Sequence, residues 1–220
     1  MQQQIVFDKL SEFLMVEECG FHLYQVVAGR TKTPKLKAKY DEFGRETAHH
    51  REVLTKLITQ LGGDPNYVSP SARVVEFKAA KLLESSLAVD GLSQEEIEMS
   101  DLENVLLAET KDHADWHVLE QMAQQASGKM KETLQAAVEE VESQEDEHFS
   151  WARETLTAMT LSMANQSKAP QPERWQNCIT GPEPPITSFH PAPFTKELLE
   201  GSKQPVWIES PIARELAQSR

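Results

Sequence analysis

Cysteine is nearly missing from this chain. Cys19 and Cys178 are the only two, far apart and outside any CxxC pair. This excludes a disulfide framework, a cysteine zinc site and a four-cysteine iron site. Basic residues are also scarce, with 22 Lys and Arg against 35 Asp and Glu and a net charge of −13. General binding to a phosphate backbone relies on clustered Lys and Arg, so no nucleic-acid partner is expected. The charge keeps a helical protein soluble and raises the cation concentration near its surface. No apolar run reaches membrane-spanning length, and Met1 to Phe7 lack a charged segment followed by an apolar one. The expectation is therefore no membrane partner and a cytoplasmic location.

Proline is scarce where it would matter. Nine of the twelve lie after Met163, and the others are Pro34, Pro65 and Pro70. Because proline breaks helix interiors, residues 1–163 can be long helices and residues 164–220 cannot. The expected division is a helical bundle over 1–163 and a Pro-rich C-terminal arm over 164–220. In the arm, Phe189, Phe194, Trp207 and Ile208 offer apolar anchors for an intersubunit contact, so a homo-oligomer is expected.

What is present is helical periodicity. From about Ile5 to Ala28, Phe7, Leu10, Leu14, Glu17, Phe21, Tyr24 and Ala28 recur at 3-4 spacing. A second helix is predicted from about Lys35 to Leu61, with Leu36, Phe43, His50 and Leu57 seven apart, ending at Gly62-Gly63. A third runs from roughly Asp101 to Ser127, and a fourth from Lys129 to Met163. The turns near residues 29–34 and at Gly128 are short, so each pair is antiparallel. The link from Gly62 to Ser100 is long and holds an amphipathic stretch, Ser71 to Leu87. The fold class is all-α: a four-helix bundle of ferritin-like connectivity, with an extra helix in its long crossover.

The apolar stripes contain intruders. Glu17, Glu46, Glu109, Asp112 and Glu145 fall on them, as do His50 and His148. A lone buried carboxylate costs several kcal/mol, so it must be paired, protonated or metal-bound. Glu17 and Glu46 are equidistant from the first turn, and Glu109 or Asp112 and Glu145 from Gly128, so the acids of each hairpin face each other. Two helices carry Glu-x-x-His: Glu46 to His49, and Glu145 to His148. Glutamates from two helices plus Glu-x-x-His from the other two form the ligand set of di-iron and di-manganese bundles. Two ions, iron or manganese, are the expected cofactor. His50 lies on the stripe, whereas His49 completes the motif; the spacing favours His49. Glu109 is nearer the stripe centre, with Asp112 as a second carboxylate. Glu46 and Glu145 are the expected bridges. Tyr24 belongs in the interior, its hydroxyl bonded to a ligand carboxylate.

Over roughly residues 5 to 163 the sequence resembles the rubrerythrin and bacterioferritin branch of the ferritin-like superfamily. Glu17 followed by Gly20 and Tyr24 is similar to that family's first helix. Asp112-His-Ala-Asp115-Trp116 resembles its third-helix run Glu-His-x-Glu-Trp, with Asp for Glu. The resemblance implies a dinuclear centre reacting with oxygen or hydrogen peroxide, at which Tyr24 is the catalytic residue beside the metal ligands. No rubredoxin-type cysteines accompany the bundle, so electrons must come from an external donor. Three functions follow: a peroxidase or ferroxidase protecting against oxidative stress, an iron-storage protein, or a structural bundle acting through its tail.

Overall fold

The computed structural model describes residues 2–165, and all their regular structure is helical. The predicted arm, 164–220, lies almost wholly outside the described residues. Five helices follow in order: α1 (Gln3–Arg30), α2 (Pro34–Gln60), α3 (Pro70–Leu87), α4 (Gln94–Gln125) and α5 (Gly128–Asn165). Pro34 and Pro70 each occupy the first turn of their helix, where no backbone donor is lost. Gly62, with φ +84°, makes the turn that ends α2.

Two apolar clusters form the core. One joins Val6, Leu10 and Phe13 of α1 to Val53, Leu54, Leu57 and Ile58 of α2, Trp116 and Leu119 of α4, and Leu134, Val138 and Val141 of α5. The other joins Leu23, Tyr24 and Val27 to Leu36, Tyr40 and Phe43, Leu102 and Val105, and Ala152. The start of α1 thus meets the end of α2, and the end of α4 meets the start of α5, so both hairpins are antiparallel. The ends of α2 and α4 share a cluster, so these two helices run parallel, as the long crossover requires. This is a ferritin-like helical bundle.

Helix α4 begins seven residues before its predicted start. Ser93 caps it: its side chain accepts from Glu96 N, and the Glu96 carboxylate accepts from Ser93 N. This reciprocal box supplies partners for the orphan donors of the first turn. Its opening turns are largely polar, with Glu95, Glu96 and Glu98 among seven residues, which is why no apolar stripe announces them. Glu98 there is buried and accepts from Thr31 Oγ1, Lys32 N, Thr33 N and Thr33 Oγ1. It fastens the α1–α2 turn to α4. Helix α3 is tied down through Ser69, whose hydroxyl donates to Asp8 O, and Asn104, whose amide donates to Leu82 O and Ser86 Oγ.

Candidate metal centre

Between the two apolar clusters lies a layer of acids and imidazoles. Glu17, His50, Glu109, Asp112, Glu145 and His148 are all at most 5% exposed. They come from α1, α2, α4 and α5, each near mid-helix and on the stripe that faces its neighbours.

Their polar atoms converge. His50 Nδ1 is 2.8 Å from Glu145 Oε1 and 3.6 Å from Glu17 Oε1. His148 Nδ1 is 3.5 Å from Glu109 Oε2 and 3.9 Å from Glu145 Oε1. Two groups result, Glu17–His50–Glu145 and Glu109–Glu145–His148, whose donor atoms lie within 4.8 Å of one another in each. Glu145 belongs to both.

Aromatic donors hold the two outer carboxylates. Trp116 Nε1 donates to Glu17 Oε1 at 2.8 Å, and the Tyr24 hydroxyl donates to Glu109 Oε1 at 2.7 Å. Tyr24 itself is fixed against Gly44, where an added Cβ would sit 3.3 Å from Tyr24 Cβ. Glycine there lets α1 and α2 approach closely enough to set the phenol.

The remaining atoms are orphans. Glu17 Oε2, Glu109 Oε2, Asp112 Oδ1, both Glu145 oxygens and the Nδ1 of His50 and His148 are buried without an aligned hydrogen bond. Buried polar atoms are normally satisfied, because leaving one unmade costs about 1–3 kcal/mol and more when charged. Seven in one place, all carboxylate oxygens or imidazole nitrogens, are a donor set for cations such as iron or manganese. The residues fit a pair of bound metal ions.

Protons take part of that role when no cation is bound. Burial disfavours the His50 imidazolium, but contact with Glu145 and Glu17 outweighs it and holds the pKa up at about 10. His148 is raised in the same way, against its burial, by Glu109 and Glu145. Burial, then the charges of Glu17 and Glu109, push Glu145 up to about 7, with His50 pulling the other way. Asp112 is raised well above the usual carboxylate range by burial and by Glu145, Glu17 and Glu109. Tyr24 stays neutral, raised by burial and by the Glu109 charge.

Two residues expected as metal ligands fall outside both donor groups. His49 is exposed and paired with Glu140 Oε1 at 3.1 Å, whereas His50 enters the interior. Successive helix residues point about 100° apart, and the α2 face set by Phe43, Leu54 and Leu57 includes His50. The signal was present: Glu17 and His50 are separated by the same 33 positions as Asp112 and Glu145. Glu46, the expected bridge, joins neither group. Its side chain is 26% exposed, and its Oε2 accepts from His148 Nε2 at 2.8 Å, on the ring edge away from the interior. Glu109 and Asp112 are both in the layer, one turn apart. Gln144 had no part in the sequence reading; its amide Oε1 accepts from His50 Nε2 at 2.9 Å. His22, His113 and His117 pair with acids at the periphery.

A ferritin-like bundle with carboxylate–histidine groups able to hold metal defines the class of protein. Residues 8–128 match the rubrerythrin family model, and the chain belongs to that family, a ferritin-like di-iron family. No curated protein and no solved structure matches it. Among the described residues, no helix is long and apolar enough to cross a membrane.

Proposed function

We propose that this chain is a di-iron carboxylate protein that reacts with hydrogen peroxide or oxygen, oxidising Fe(II) and drawing electrons from an external donor. The observation that carries the reading is the pair of donor groups sharing Glu145. Glu17 and His50 would hold one ion, Glu109 and His148 the other, with Glu145 between them and Asp112 a further carboxylate. Two irons held there would supply the two electrons that reduction of peroxide to water requires, together with two protons from solvent. The chain's part is to orient and to exclude water. Trp116 and Tyr24 each bind one oxygen of an outer carboxylate and leave the other, Glu17 Oε2 or Glu109 Oε2, buried without a hydrogen bond, while Phe43 packs on the His148 ring at 4.1 Å between centroids. A dry surround strengthens each interaction inside it. Consumption of peroxide would make the protein a defence against oxidative stress.

Elemental analysis after anaerobic reconstitution with Fe(II) is expected to give two irons per chain. Stopped-flow absorption in the near ultraviolet should then show faster oxidation by hydrogen peroxide than by air. Absence of bound iron would sink the reading. Faster reaction with air, together with growth of a mineral core, would favour iron storage instead.

A further inference from the structure

On the outer edge of the metal layer, two residues link both histidines. His50 Nε2 lies 2.9 Å from Gln144 Oε1, Gln144 Nε2 lies 3.3 Å from Glu46 Oε1, and Glu46 Oε2 lies 2.8 Å from His148 Nε2. The chain crosses between helices. Glu46 and His50 are one turn apart on α2, Gln144 and His148 one turn apart on α5, and each histidine is held by the other helix.

Chemistry fixes the direction of every bond in it. An ionised carboxylate only accepts. Glu46 must therefore accept from His148 Nε2–H and from the Gln144 amide NH2. That turns the Gln144 carbonyl oxygen toward His50, whose Nε2 must then donate. Both rings present an N–H outward, and both leave Nδ1 as the nitrogen that faces the carboxylates. The same two Nδ1 atoms are the buried nitrogens lacking an aligned hydrogen bond.

We propose that Glu46 and Gln144 form a clasp that fixes the orientation and tautomer of His50 and His148 for ligation through Nδ1. Both are then positioning residues, and Glu46 is not a metal ligand. This rests on the dinuclear reading above. Outer partners of ligating histidines orient the ring and raise its basicity, and losing one weakens metal affinity about 10–100-fold. The clasp also has a property that a ligand lacks: its polarity can be reversed. In a Glu46→Gln, Gln144→Glu double variant, residue 46 still accepts from His148 and donates its amide to residue 144, which accepts from His50. Either single substitution breaks the chain. Glu46→Gln sets two amide NH2 groups against each other, and Gln144→Glu sets two carboxylates against each other.

The experiment is Co(II) titration of the full chain, followed by visible absorption, for wild type, Glu46→Ala, both single exchanges and the double exchange. Circular dichroism checks that all are equally helical. Wild type is expected to bind two Co(II). The three single variants should keep two ions with affinity about 10–100-fold lower, and the double exchange should return to near the wild-type value. Long-range proton–nitrogen correlation on Zn(II)-loaded protein should show Nε2–H and metal-bound Nδ1 for both rings. One ion in Glu46→Ala, a double exchange no better than the singles, or ligation through Nε2 would each overturn the clasp. Failure of wild type to bind Co(II) or Fe(II) would instead remove the dinuclear reading, and the clasp with it.

Discussion

Glu145 and His50 each stand where a single atom decides the outcome. Glu145 is common to both donor groups, so Glu145→Ala is expected to abolish dinuclear binding altogether. His50→Ala should remove a nitrogen from one group, while His49→Ala removes only a surface partner of Glu140. Metal titration is therefore expected to separate two adjacent histidines: His50→Ala weakened by tenfold or more, in line with loss of a positioned group, and His49→Ala unchanged. Equal effects would mean that α2 is turned differently about its axis. The pair also shows what sequence could resolve at this scale. Buried-charge arguments found Glu17, Glu109, Asp112, Glu145 and His148 because an acid on an apolar stripe is costly wherever the helix sits. On α2 the stripe pointed to His50, and the Glu-x-x-His spacing favoured His49 over it. A Glu-x-x-His spacing fits a rotation that brings Glu46 and His49 inward, but the apolar face of α2 dictates another. Gln144 was invisible because a half-exposed glutamine carries no cost that needs explaining.

At the scale of the element, helix ends matter more than the stripes reveal. Long apolar repeats made α1, α2 and α5 legible to within a few residues. The start of α4 was hidden because its opening turns are largely polar and its cap is local polar chemistry. Ser93→Ala removes that cap and is expected to cost about 1 kcal/mol. Glu98→Ala removes the acceptor of Lys32 N and of two hydroxyls in the α1–α2 turn, leaving Thr33 N only its bond to Thr31 Oγ1, and should cost about 1–3 kcal/mol. Burial disfavours the Glu98 charge, but bonds from Thr33, Thr31 and Lys32 win and lower its pKa. Its contribution is therefore present above the ordinary glutamate pKa and lost as pH falls through the lowered value. Urea midpoints of both variants at neutral pH are the measurement. A loss from Glu98→Ala no larger than from Ser93→Ala would mean that water replaces the carboxylate at the turn.

At the scale of the whole bundle, the acids and imidazoles of the layer set how stability responds to pH. Without metal, the folded state binds more protons than the unfolded one: His50 titrates at about 10 against 6.5, and Glu145 at about 7 against 4.5. Stability falls with pH where the native state holds the extra protons. The Glu145 contribution is full below about 4.5 and lost as pH rises through 7; that of His50 is full below about 6.5 and lost through 10. The urea midpoint of metal-free protein is expected to fall from pH 5 to pH 9. With two metal ions bound, deprotonation instead frees ligands, so the loaded midpoint should rise over the same range. Parallel curves would show that the layer does not exchange protons for cations. All the acids and histidines of the layer precede residue 165, so the chain cut there is expected to remain helical and to bind two ions, checked by circular dichroism and metal analysis. The two apolar clusters on either side of the layer make the bundle mechanically two vessels joined at a seam. Bound cations would weld that seam, where protons only tack it. Amide hydrogen exchange should then show one cooperative opening in the loaded protein. In the empty protein the backbone around Glu17, His50, Glu109 and Glu145 should exchange first, while the ends still resist.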